Sequence, residues 1–252
     1  MRINTNVGAL TASRNIFVNN MAVENSMRKL SSGLKISRAA DDAAGLSIAN
    51  KLRTQSRALS QAASNAEQGN AMLQIAEGAA QTIERIIERQ KELLVQQAST
   101  GNNSTVSATL STEITTLGTE ASRILADADF QGASVFASLS FQVSDSASNA
   151  TVTVAATLSY TTPTSLATAD TQLDAVNTTL AAIGAGQNVL DYTVQNLKSA
   201  VVNVRAAEST IRDVDMAEEM ANFTKNNILK EAAQAMMGQA NQGSQSILQL
   251  LR

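Results

Sequence analysis

From Gly45 to Leu94 the chain reads GLSIANKLRTQSRALSQAASNAEQGNAMLQIAEGAAQTIERIIERQKELL. Within it Leu52, Leu59, Ala66, Leu73, Ala80, Ile87 and Leu94 recur at heptad spacing. Ile48, Gln55, Ala62, Gly69, Ala76, Ile83 and Gln90 stand four residues before each of them. Two apolar lines in this alternation make the seam of a long α-helix packed along its length against partners. Such a helix is roughly 75 Å long at 1.5 Å per residue. The pattern fits a coiled coil or a long helix in an ordinary bundle, and the rest of the chain has to decide between them.

The composition narrows the function classes. The 252 residues carry a net charge of -3, no Cys, no His, no Trp and one Pro, and aromatics make up only 3%. The apolar residues are mostly Ala, Leu, Ile and Val, which suit closely packed helices better than a thick globular interior. Without Cys or His, the usual zinc sites, thiol nucleophiles and His-based acid/base catalysis are excluded. The near-neutral charge gives no reason to expect nucleic acid. No apolar run approaches the roughly 20 residues of a membrane span. The opening Met1-Arg2-Ile3-Asn4-Thr5-Asn6 lacks the apolar core of a secretory signal peptide.

Taken in order, Ile3, Val7, Leu10, Phe17 and Met21 form one stripe, followed by Val23, Met27, Leu30 and Leu34. The spacing predicts a helix from about Thr5 to Leu30 with a narrow seam, broken by Ser31-Ser32-Gly33. Asp41-Asp42 opens the long helix, and either carboxylate can cap it. That helix is expected to end near Ser99, ahead of Gly101-Asn102-Asn103. A third helix begins at Ser104 or Thr105, with Val106, Leu110, Ile114, Leu117, Ala121, Ile124 and Ala128 on its seam, and returns antiparallel on the long one. From Phe130 the period becomes two. Leu139, Phe141 and Val143, then Val152 and Val154, predict one small β-hairpin over about 138–156, ended by Pro163. A second long seam runs from Leu166 to Ile211. Arg212 to Asp215 interrupts it, and Asp215 with Glu218 has the spacing of a capping box. Met216, Met220, Phe223, Leu229, Ala233, Met236, Ala240, Gly243, Ile247 and Leu250 line a final helix.

The expected fold is therefore mainly α: an elongated two-tier helical rod. A terminal coiled coil of the first and last helices joins a central bundle of three long helices with the small hairpin. The terminal helices carry apolar seams with no globular neighbour in sequence, and isolated helices are marginal in water. Both termini are expected to be disordered in the monomer and to order on assembly. The seams left seeking partners are Ile3, Val7, Leu10, Phe17, Met21, Leu229, Met236, Ile247 and Leu250. At the end of the long helix, Glu84, Arg85, Glu88, Arg89, Lys91 and Glu92 read as a solvated face, with Glu88–Lys91, Arg85–Glu88 and Arg89–Glu92 offsetting like charges. The tight carboxylate pairs, Asp41-Asp42 and Asp213/Asp215, sit where helix caps are expected, so no catalytic, cofactor-binding or metal residues are assigned and the chain is not read as an enzyme.

Several stretches resemble bacterial flagellin. Ile3-Asn4-Thr5-Asn6 is similar to the start of that family. Leu30-Ser31-Ser32-Gly33-Leu34-Lys35-Ile36 followed by Asp41-Asp42-Ala43-Ala44-Gly45 resembles its most specific N-terminal signature. Gln239-Ala240-Asn241-Gln242 with Leu248-Gln249-Leu250-Leu251-Arg252 resembles its C-terminus, and Phe141-Gln142-Val143 fits its hairpin. The chain looks like a short member lacking the variable outer domains. Gln131-Gly132 replaces the family's usual Asn-Gly, and Ser144-Asp145 its usual Gly-Ala.

The resemblance implies a structural subunit that polymerises into the helical flagellar filament used for motility, with no cofactor, with 1–37 and 214–252 as the inner terminal coiled-coil domain and 38–213 as the outer helical-bundle domain. It implies the chain itself as main partner, an export chaperone at the C-terminal helix, hook-associated junction and cap proteins, and no nucleic acid or membrane insertion. It implies an extracellular filament reached by the flagellar type III route without a cleaved signal peptide. Arg89, Leu93 and Glu113 match positions through which a flagellin-sensing innate immune receptor recognises the family, with Gln90, Glu92, Val95 and Gln96 around them; the alternative for this patch is a subunit contact. The rival readings of the whole chain are a hook-filament junction protein and an intracellular coiled-coil scaffold.

Overall fold

The computed structural model describes residues 6–99, 101, 103–144 and 151–250, leaving aside the side chains at 244 and 247–250. Among the described residues the elements are α1 (Val7–Ser32), α2 (Ala43–Gln97), α3 (Ser104–Asp127), β1 (Asp129–Phe130), β2 (Ala133–Ser134), β3 (Ser138–Gln142), β4 (Thr151–Ala155), α4 (Leu166–Arg212) and α5 (Met216–Leu250). The chain is mainly α, as the heptads predict. It divides into two compact units, Met1–Thr54 with Val204–Arg252, and Gln55–Asn203. The divisions fall inside α2 and α4, beyond the sequence breaks near Gly33 and Asp213.

Short polar side chains set the helix ends by satisfying amides that a helix leaves unpaired. Asn6 accepts from Ala9 N (3.1 Å) at α1, and Asn103 from Thr105 N (2.9 Å) at α3. The aspartates before α2 divide their work. Asp42 caps the helix through Gly45 N (2.9 Å), while Asp41 holds the preceding turn through Ser37 N (3.1 Å) and Arg38 N (2.9 Å). Those two amides, Arg38's first, hold the Asp41 carboxyl below its ordinary pKa. At α5, Asp215 accepts from Ala217 N (2.9 Å) and Glu218 N (3.2 Å). α1 ends at Gly33, whose φ of 70° is left-handed and whose N–H returns to Lys29 O.

In the central unit, polar rungs fix the helix directions. Glu67–Lys198 (2.7 Å), Asn70–Asp191 (2.9 Å) and Glu77–Gln187 (2.9 Å) join α2 to α4, with numbers rising along one helix and falling along the other. Arg89–Glu113 (3.3 Å) and Gln97–Ser107 (3.3 Å) do the same for α2 and α3. Both α3 and α4 therefore run antiparallel to α2. Between them Ala80, Ile83 and Ile87 of α2 are buried with Ala121 of α3, Val176 of α4 and Leu158. A second cluster joins Leu93 and Leu94 to Leu110, Ile114 and Ala169.

The hairpin lies where expected. β3 and β4 pair antiparallel, with Leu139 opposite Val154 and Phe141 opposite Val152. An isolated hairpin is marginal in water, so its stability has to come from the helices beneath it. It lies directly on two mid-helix glycines. A Cβ at Gly69 would sit 2.9 Å from the Phe141 ring, and one at Gly186 would sit 2.6 Å from a Val154 methyl. A mid-helix glycine costs about 1 kcal/mol relative to alanine, and here the missing side chain is what admits the strand.

The sequence missed a second, smaller pairing. β1 and β2 form a two-residue hairpin around Gln131-Gly132, both at positive φ (56° and 81°). Two left-handed residues define the tight turn that Asn-Gly usually makes. Gln131 occupies it without being a typical turn former, which is why propensity gave no signal.

Gly186→Ala is expected to destabilise the protein by about 1–3 kcal/mol by overpacking against Val154. Gly78→Ala, where a Cβ meets nothing within 4 Å, is expected instead to stabilise it by up to about 1 kcal/mol through helix propensity. Urea unfolding of both variants checks the contrast.

Candidate assembly surface

In the terminal unit α1 and α5 pair antiparallel. Asn6 Nδ2 donates to Ala240 O (3.0 Å) at one end, and Lys29 meets Glu219 (3.7 Å) at the other. The two sequence breaks are bonded side by side. Leu34 and Asp213 form a β-bridge, Lys35 N donates to Arg212 O (2.7 Å), and Val214 N donates to Gly33 O (3.1 Å). In the chain the two breaks read as separate interruptions; their pairing is long-range backbone bonding, which composition does not encode.

A pair of helices has too little facing surface to cover both seams. On α1 only Ala12, Val23 and Ser26 are buried among the described residues. The expected assembly residues lie on the outside: Leu10 is 69% exposed, Phe17 and Met236 65% each, and Val7, Met21 and Leu229 are also exposed. Val18, Met27, Met216, Met220 and Ile228 add to the same unit's exposed apolar surface. A groove of about 680 Å³ runs between the helices, lined by Gly8, Ala12 and Val18 of α1 and Ala232, Ala233 and Met236 of α5. Ile3 and the side chains of Ile247 and Leu250, expected on the same seams, lie outside the described residues. Apolar surface of this extent on helices that carry it in register marks an interaction face.

The charged end of α2 differs from its sequence reading. Arg89 pairs with Glu92 (2.9 Å), as expected, and also reaches Glu113 on α3 (3.3 Å). These two carboxylates, Glu92 first, raise the pKa of the exposed guanidinium. Lys91 turns to Asp170 of α4 rather than to Glu88, and Arg85 bonds the Gln81 carbonyl and the Thr82 hydroxyl. Of the three matched receptor positions, Arg89 and Glu113 are brought together at the surface. Leu93 is 2% exposed, its side chain in the core with Leu110 and Ile114.

Gln90, placed by the sequence both on the seam and beside the receptor patch, is fully buried. Its Nε2 donates to Ile114 O (2.9 Å), and its Oε1 accepts from the Tyr160 hydroxyl (2.9 Å). The heptad line it shares with Ile83 was the correct signal. Burial raises the pKa of Tyr160, against the opposing hydrogen bond to Gln90.

Little in this arrangement can do bond chemistry. Asp41, Asp42 and Asp215 accept from backbone amides, and no metal-holding group of acidic residues occurs among the described residues. No helix among them is long and apolar enough to cross a membrane. Fold and surface together define a helical structural protein whose business is association. The bacterial flagellin N-terminal helical region matches residues 3–140, and the bacterial flagellin C-terminal helical region matches residues 166–251. The chain is 40% identical to a flagellin of Halalkalibacterium halodurans and 38% identical to a flagellin of Bacillus subtilis. It is 38% identical to the flagellar filament 33 kDa core protein of Treponema phagedenis. Each alignment covers 100% of this chain and 100% of the relative. The chain belongs to the bacterial flagellin family, a family of structural proteins and not of enzymes.

Tyr160→Phe leaves the Gln90 Oε1 unpaired and is expected to cost about 1–3 kcal/mol at neutral pH. The raised folded pKa of Tyr160 means its contribution is complete below the unfolded value near 10 and is lost as pH rises through the folded value. The stability difference between wild type and Tyr160→Phe, measured by denaturant unfolding at stepped pH, is expected to shrink above pH about 10.

Proposed function

We propose that this chain is the filament-forming subunit of a bacterial flagellum, polymerising with copies of itself into the helical filament used for motility. The observation that carries this is the exposed apolar row on the paired terminal helices, Leu10 and Phe17 on α1 and Met236 on α5. Each such side chain contributes about 1.5–3 kcal/mol when fully buried, and the isolated pair has nothing to bury it against. Residues 1–37 and 214–252 form the inner tier lining the channel, and 38–213 form the wall. The same shortage of buried contacts leaves the termini marginal in the monomer, so they order on assembly. Contacts that do not close on themselves extend into a helical polymer.

The subunit leaves the cell through the flagellar type III route, chaperoned at α5, and adjoins hook-associated junction and cap proteins at the filament ends. The Arg89–Glu113 pair is the exposed part of the receptor-matched patch, with Leu93 supporting it from the core.

Phe17→Glu and Met236→Glu place charge on the exposed row without touching the central unit. Both are expected to keep the central bundle folded by circular dichroism and to lose seeded filament growth in electron microscopy. Filaments at wild-type yield from both variants would defeat the assignment. In a receptor-reporter assay, Arg89→Ala is expected to lower signalling relative to wild type; equal signals remove that part of the reading.

A further inference from the structure

The seam of the central unit poses a problem that its apolar residues do not solve. Along α2 the buried line runs through Ala66, Leu73, Ala80, Ile87 and Leu94, and α3 answers with Leu110, Ile114 and Ala121. Spacings that alternate between three and four match themselves again after one helical turn, and hydrophobic contact is non-directional. An α3 displaced by a turn along α2 would still lay apolar side chains on apolar side chains. The exposed rungs do little to forbid it. Arg89 and Glu113 are about half exposed and Glu92 more so, and pairs of that kind contribute little.

Gln90 is different in kind. It is wholly buried, and both ends of its amide are used. One end holds a backbone carbonyl of α3, which has a second lone pair available for it. The other end holds the phenol of Tyr160, in the connection that runs from β4 into α4. Three segments thus meet at a single side chain. Any slip of α3 or of that connection strands a buried amide without partners, a penalty specific to the wrong registers. A single polar residue in an apolar seam fixes register at the expense of stability in coiled coils.

We infer that Gln90 is the register lock of the central unit, setting through its bonds to Ile114 O and Tyr160 the axial position of α3 and of the β4–α4 connection against α2. The lock selects one arrangement among several of similar apolar burial and adds little to overall stability.

The chain has no Cys, so nitroxide labels can be placed uniquely at Gln61→Cys on α2 and Thr119→Cys on α3, both exposed. Double electron–electron resonance then reads the register directly. With Gln90 present a single narrow distance is expected. In Gln90→Met, which keeps the volume and removes the bonds, a second component displaced by roughly 5 Å, one helical turn, is expected, with an unchanged or higher melting temperature. Tyr160→Phe retains the bond to Ile114 O and is expected to keep the α2–α3 distance single. A single unchanged distance in Gln90→Met overturns the inference. So does loss of folding in that variant, because the lock is held to select a register and not to supply stability. Broadening in Tyr160→Phe equal to that in Gln90→Met also overturns it.

Discussion

The central unit depends on how closely the β3–β4 hairpin approaches the backbones of α2 and α4. Phe141 lies on Gly69 and Val154 on Gly186, at distances that leave no room for a Cβ. That approach does two things together. It gives a five-residue strand pair the apolar floor it lacks alone. It also places Leu139 and Val154 inside the core, so that the hairpin closes a helical interior built from small side chains. The scarcity of aromatics follows from the same design. With helix axes and a strand layer this close, Ala at 62, 63, 66, 76 and 80 fills the space, and larger residues would force the layers apart.

The terminal unit uses the same heptad code and reaches the opposite result. α1 and α5 carry seams as regular as those of α2 and α4, yet Leu10, Phe17 and Met21 on α1 and Leu229 and Met236 on α5 remain exposed. The difference is the number of neighbours. In the central unit α2 meets α3, α4 and the β3–β4 hairpin; in the terminal unit α1 and α5 lie chiefly against each other. Propensity does not hold such helices together, because most helical stability comes from burying an amphipathic face. The unit is therefore arranged to be completed from outside, and its polar ties act mainly to orient it. Asn6–Ala240, Lys29–Glu219 and the paired backbones at Gly33 and Asp213 hold two helices parallel to a common seam. They do not bury it.

Much of this was legible in the chain, for reasons that can be stated. Helix extents followed from heptads and from Asn, Asp and Gly at their ends, and the hairpin followed from a change of period. These are local signals, and the residues that carry them act within a turn or two. What was not legible depends on contacts far apart in sequence or on a choice between near-equals. Asp41 and Asp42 are chemically the same cap; only the turn at Ser37 and Arg38 assigns one to the loop and the other to the helix. Lys91 had a carboxylate available at Glu88 on its own helix and takes Asp170 on another. Leu93 matched a recognition motif by position, but the motif does not say which way the side chain faces.

Adjacent positions near the end of α2 show how one helix serves two purposes. Arg89 stands in solvent between Glu92 and Glu113, and Gln90 is buried one residue on. Successive residues differ by about 100° around a helix, so a surface charge and an interior amide can be neighbours in sequence without competing. Both reach the same stretch of α3, at Glu113 and at the Ile114 carbonyl. The exposed pair is screened by salt and tolerates motion; the buried amide tolerates none without losing its partners. A surface presented at Arg89 and Glu113 is therefore only as well defined as the interior contact beneath it. The shape that any partner meets there is set by a residue the partner does not touch.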